Sequence, residues 1–156
     1  MRLSYAVFAL FASFFLLLTI IPPILASEGV FWAEGFANSV YSPFCHQLPE
    51  RSLFILGIQM PVCARCFGIY AGIAVGALLY PFISDGKVPD RWVIFAAAAP
   101  LVLDGATQLI GLRESFNLLR VATGLVFGSA VPFYIIPVFD EILGGRRIFI
   151  RGRRLL

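Results

Sequence analysis

Four residues hold every thiol and imidazole in the chain. Cys63 and Cys66 form a Cys-x-x-Cys pair within Pro61-Val62-Cys63-Ala64-Arg65-Cys66-Phe67-Gly68. Cys45-His46 supplies the third cysteine and the single histidine among 156 residues. A Cys-x-x-Cys spacing is the usual half-site for zinc, and three cysteines with one histidine make a tetrahedral set. Zinc is therefore the expected cofactor, on Cys45, His46, Cys63 and Cys66. The weak point is the adjacency of Cys45 and His46. Neighbouring side chains diverge unless a turn re-aims them, so three cysteines with water as the fourth group is also open. Thiol–disulfide chemistry competes with metal. A cysteine pair near a helix N-terminus with Arg65 between the sulfurs has features that lower a thiol pKa. An odd cysteine count, however, leaves one thiol unpaired in any disulfide scheme.

A second group of polar residues lies further along: Asp104, Gln108, Arg113, Glu114, Asn117 and Arg120. Charges in or beside apolar segments normally face a bundle interior or an aqueous cavity. One account is structural, with Asp104 pairing Arg120 or Arg113 to hold helices together. The other is functional. Arg65, Gln108, Asn117 and Arg120 would bind a phosphate or carboxylate. Asp104 and Glu114, with Arg113, would act as catalytic groups or as a further metal ligand.

The elements that must position these residues are set by composition. The chain is 60% hydrophobic and 13% charged, against about 25% charged in soluble domains. Its mean hydropathy is +0.89. About 20 apolar residues make one bilayer crossing, and four such segments are expected, over 4–26, 65–83, 91–112 and 118–143. The fold class is all-α, a single polytopic membrane domain over 1–156. Arg2, an apolar centre and Ile24-Leu25-Ala26 also fit a cleaved signal peptide. The uncharged run exceeds the roughly 7–15 residues of a signal core, so a retained helix is expected. Loop 27–64 carries Cys45 and His46. Its stretch Glu50–Met60 is too short to span and reads as an interfacial helix. Gly68, Gly72 and Gly76, and again Gly124 and Gly128, recur every four residues, which allows close helix packing within the chain or between copies in a homo-oligomer.

Basic residues in short loops set orientation. With the N-terminus inside, Arg2, Lys87, Arg91 and the five arginines of the 144–156 tail face the cytoplasm. Arg51, Arg65, Arg113 and Arg120 face out. That places both termini in the cytoplasm and the Cys/His site on the extracytoplasmic side of the plasma membrane. Asp104, about thirteen residues or roughly 20 Å into its helix, then lies in the outer half of the bilayer. The net charge of +3 is concentrated in the tail, where it suits anionic lipid heads, and is no nucleic-acid footprint.

The motifs Phe44-Cys45-His46-Gln47, Cys63-Ala64-Arg65-Cys66-Phe67-Gly68-Ile69-Tyr70, Asp104-Gly105 and Gly111-Leu112-Arg113-Glu114-Ser115-Phe116-Asn117 together resemble a prokaryotic family. It comprises small predicted membrane proteins of archaea and bacteria, domain of unknown function 2085. The resemblance implies a membrane protein and brings no activity. On the residues themselves, the expected function is an extracytoplasmic zinc site above a polar cluster, serving an anionic, membrane-associated ligand such as a lipid headgroup. If enzymatic, it would be a metal-dependent hydrolase or transferase. The alternatives are a membrane thiol–disulfide oxidoreductase using Cys63 and Cys66, and a non-enzymatic transporter or assembly factor.

Overall fold

The computed structural model describes residues 3–112, 114–144, 149–150 and 153–154. Arg2, Arg113, Arg146, Arg147 and Arg151 lie outside the described residues. Four helical stretches are long and apolar enough to cross a membrane: Ser4–Ser27, Ala64–Ile83, Arg91–Leu109 and Asn117–Glu141.

Helix α1 (Leu3–Ser27) contains Pro22 and Pro23 and continues about one turn past them. It lies antiparallel to α3 (Ala64–Ile83), because Tyr5 stacks on Tyr80 and Phe15 on Tyr70, with ring centroids 6.3 and 6.5 Å apart. Helix α4 (Arg91–Leu109) returns along the bundle, and α5 (Asn117–Ala130) descends again. The last crossing is broken at Val131, since Pro132 has no N–H to continue the ladder. Helix α6 (Pro132–Gly144) completes it.

Helix α3 is the axis. Side chains at Gly68, Gly72 and Gly76 would collide with the backbone of Val121, of Leu125, Gly128 and Ser129, and of Ser129 respectively; at Gly124 and Gly128 they would meet Arg65, Ile69 and Gly72. Only glycine lets the two backbones touch here, and the four-residue spacing keeps all five on the shared seam.

The loop between α1 and α3 is the part that differs from expectation. A short helix is present, but as α2 (Phe31–Tyr41), folded back along the upper part of α1. The stretch 50–60 is not helical. After a single 3-10 turn at Pro49–Arg51 it forms an antiparallel hairpin, β1 (Ser52–Ile55) and β2 (Ile58–Cys63). The reason is the turn: Leu56 and Gly57 both have positive φ, +52° and +81°, the two-residue geometry that matches strand twist. Ser-Leu-Phe-Ile and Ile-Gln-Met-Pro-Val-Cys are also richer in strand-forming residues than in helix formers. A second two-residue pairing, β3 (Phe149–Ile150) with β4 (Arg153–Arg154), lies in the basic tail.

Candidate metal centre

The three cysteines arrive from three kinds of local structure. Helix α2 ends at Tyr41, whose carbonyl accepts the N–H groups of both Phe44 and Cys45, each at 3.0 Å. This turn swings Cys45 inward, where it is buried. Cys63 is the last residue of β2 and also the residue preceding the first turn of α3. Cys66 follows one helical turn later. Their Sγ atoms all lie within 4.8 Å of one another, and all three are reduced.

The loop is locked to that geometry by two glutamines. Gln47 donates from Nε2 to the carbonyls of Asn38 at 2.9 Å and Pro61 at 2.8 Å. Gln59 donates to the Gln47 carbonyl at 2.7 Å and the Ser52 hydroxyl at 3.2 Å. Gln47 also has a positive φ of +52°, which tightens the chain immediately after Cys45. These contacts fix the distance between the Cys45 turn and the end of β2. The backbone N–H of Cys63 then donates to Cys45 Sγ at 3.1 Å.

That arrangement favours an anionic sulfur. Cys45 is held well below the ordinary thiol range by hydrogen bonds from the side chains of Cys63 and Cys66 and from the backbone N–H groups of Cys63 and Gln47, which outweigh its burial. The wall around the sulfurs is apolar and aromatic, built from Phe15, Leu18, Tyr41, Val62, Phe67 and Tyr70. Burial pushes the Tyr41 phenol up, so it stays protonated and donates to the Phe15 carbonyl at 2.6 Å. In tetrahedral coordination, bonds of about 2.3 Å put two sulfurs about 3.8 Å apart. The observed cluster is within a small side-chain adjustment of that spacing, and N–H donation to sulfur is the second-shell support a thiolate ligand needs. The donor set fits a soft or borderline ion.

His46 does not join the cluster. It is exposed while Cys45 is buried, and it is absent from the group of converging ligand atoms. The two side chains diverge, as neighbours on a non-helical chain do, and the Gln47 turn comes one residue too late to re-aim the imidazole. The converging ligand atoms are therefore the three sulfurs.

The polar residues expected to form one cluster are divided into two. Arg65 pairs with Asp104 across α3 and α4, with Gln108 Oε1 at 3.5 Å from the same guanidinium nitrogen. Asp104 is 2% exposed and Arg65 26%. Arg65, which the sequence did not single out for this role, is thus a partner of Asp104. Gly105, beside it, leaves the guanidinium room, since a Cβ there would stand 3.7 Å from Arg65 Nη1. Arg120 belongs to the second group. Its Nη1 donates to Asn117 Oδ1 at 2.7 Å and toward the Glu50 carbonyl at 3.5 Å, and Asn117 Nδ2 donates to the Ser52 carbonyl at 3.1 Å. These bonds root the hairpin on α5. Glu114 is exposed, and Arg113 lies outside the described residues.

Sequence reasoning named the sulfurs but missed their supports: Gln47, Gln59, Tyr41 and Tyr70. The available signal was two glutamines in a proline-bounded, otherwise apolar loop, where a primary amide has to find backbone partners.

Residues 45–134 match the family described as "Predicted membrane protein (DUF2085)". The chain belongs to this family. All three cysteines, both glutamines and both arginine groups fall inside the matched region. An uncharacterised protein of Methanocaldococcus jannaschii is 56% identical over 108 residues, covering 67% of this chain and 69% of that protein. An uncharacterised protein of Methanothermobacter thermautotrophicus is 45% identical over 86 residues, covering 54% and 77%. No solved structure matches.

Proposed function

We propose that this family member is an integral membrane protein carrying a tri-thiolate metal centre, with zinc as the ion, held by Cys45, Cys63 and Cys66. The observation that carries the reading is the convergence of three reduced sulfurs within 4.8 Å of one another, one of them receiving a backbone N–H. An ion there would join loop, hairpin and α3 at a single point. The fourth coordination position, which His46 does not reach, would be open to water or an exogenous ligand. Such an opening is the mark of a catalytic rather than a closed structural site. The basic-residue count supports an extracytoplasmic location, with both termini in the cytoplasm.

Elemental analysis of protein purified under reducing conditions is the test. One zinc per chain is expected, lost in each of Cys45→Ser, Cys63→Ser and Cys66→Ser and kept in His46→Ala. Metal-free protein with three free thiols would overturn the reading. Labelling of metal-stripped cells with a membrane-impermeant maleimide checks the orientation; protection of the three cysteines until the membrane is opened would reverse it.

A second reading, thiol–disulfide exchange, is favoured by the anionic character of Cys45 beside the Cys-x-x-Cys pair. Cys63 and Cys66 would form a disulfide, releasing two protons and passing two electrons to a quinone. It predicts metal-free protein whose Cys63–Cys66 disulfide, once reduced to the dithiol, re-forms as added quinone is converted to quinol.

A further inference from the structure

Arg120 is 5% exposed, yet no carboxylate pairs with it among the described residues. Its bonding partners are neutral, the amide oxygen of Asn117 and the Glu50 carbonyl, and its Nε is buried with no hydrogen-bond partner. The charges of Arg51 and Arg65 act on it with the same sign, and Asp104, which hydrogen-bonds Arg65, offsets them only from a distance. A buried guanidinium with no anion in direct contact is costly in general, so this one would be stabilised by an anion at its open face.

The rest of the cradle is the first turn of α5. The guanidinium folds back to that turn, because its Nη1 meets the side chain of Asn117, the first helical residue. The preceding residue, Phe116, supplies no side-chain cap, so the opening N–H groups of a 14-residue helix keep their donor capacity. Ser115, one residue further back, is 6% exposed and its hydroxyl is buried without a partner. A cationic fork, a free hydroxyl and uncapped backbone donors at a helix start together match a tetrahedral oxyanion.

We infer that the α5 N-terminal turn, with Arg120 and Ser115, binds a phosphate group. Its place in the fold points to a lipid phosphate. Asn117 opens a candidate membrane span, and the flanking Phe116 and Leu118 are 60% and 73% exposed, as residues lying against acyl chains would be. Phosphates of a bilayer sit at this boundary between apolar core and water. The inference goes beyond the metal centre and stands without it.

Thermal unfolding in a neutral maltoside detergent tests the site, with three additions in parallel: phosphatidylglycerol, a phosphate-free galactolipid and inorganic phosphate. Phosphatidylglycerol is expected to raise the midpoint saturably and the galactolipid to leave it unchanged. Ser115→Ala should weaken the apparent affinity at least fivefold, and Arg120→Gln should abolish the shift. Ser115→Ala keeps the test decisive where Arg120→Gln fails to fold. A Ser115-dependent shift with inorganic phosphate alone supports the site and fixes free phosphate as its source. Equal shifts from both lipids, or shifts that Ser115→Ala leaves untouched, overturn the inference.

Discussion

Helix α3 meets α5 and α4 in opposite ways. Against α5 it presents Gly68, Gly72 and Gly76, and the contact is backbone on backbone. Toward α4 it extends one long side chain, Arg65, to the single buried residue of that helix, Asp104. The first contact is shape without charge, and the second is charge with little shape. Shape tolerates no added atom but has no chemistry to lose. The ion pair tolerates changes of size but depends on both charges remaining.

That contrast is open to direct attack. The largest effect should come from Gly72→Leu or Gly128→Leu. Each would drive a side chain into the facing backbone, beyond the ~1–3 kcal/mol usual for overpacking a core. Loss of a cooperative unfolding transition in detergent is expected; a stable, zinc-binding Gly72→Leu protein would show that the seam is looser than the contacts indicate. Asp104→Asn comes next, costing about 1–3 kcal/mol, discounted because Arg65 is partly solvated. Arg65→Met with Asp104→Leu should recover most of it, because the double change removes the stranded charge as well. Failure to recover would mean the pair does more than hold α4. Gln47→Ala should cost roughly 1–2 kcal/mol for two lost hydrogen bonds and weaken zinc affinity on the order of tenfold through the lost second shell, as read by chelator competition. It should leave the α3–α5 seam unaffected.

The smallest effect is one of pH. The Cys45 thiol is lowered in the folded protein, so in metal-free, reduced protein its contribution is full above the unfolded value of about 8.5. It is lost as pH falls from there through the folded value. Thiolate ultraviolet absorbance persisting at neutral pH in that protein, and absent in Cys45→Ser, is the expected reading.

How much of this could be read in advance follows the same contrast. The glycine seam was legible because a four-residue repeat is a local pattern with one geometric meaning. The four span-length helices were legible from long apolar runs, and Cys-x-x-Cys from its spacing. The hairpin was not, because Leu56-Gly57 is an unusual pair for a two-residue turn and the Glu50–Met60 stretch has no clear alternation. The pairing of Asp104 with Arg65 was hidden for a different reason. Arg65 lies 39 residues from Asp104, and no periodicity connects them; only the rotation of α3, fixed by its glycines, decides which arginine reaches the carboxylate. His46 was conspicuous by composition, and it stands exposed, apart from the three converging sulfurs.

The Arg65–Asp104 pair also bears on how the chain enters a bilayer. Helix α4 carries a carboxylate within an apolar, span-length helix and buries almost nothing else. Inserted alone, such a helix faces a penalty for the aspartate, smaller than the roughly 2.5–3.5 kcal/mol of a helix-centre position because Asp104 lies near the Leu109 end. Arg65 precedes it in synthesis, on the helix made just before, and the turn at 84–90 brings the two within reach. Helices α3 and α4 would then pass from the insertion machinery into lipid as a neutralised hairpin, with α5 arriving afterwards to close on the exposed glycine face.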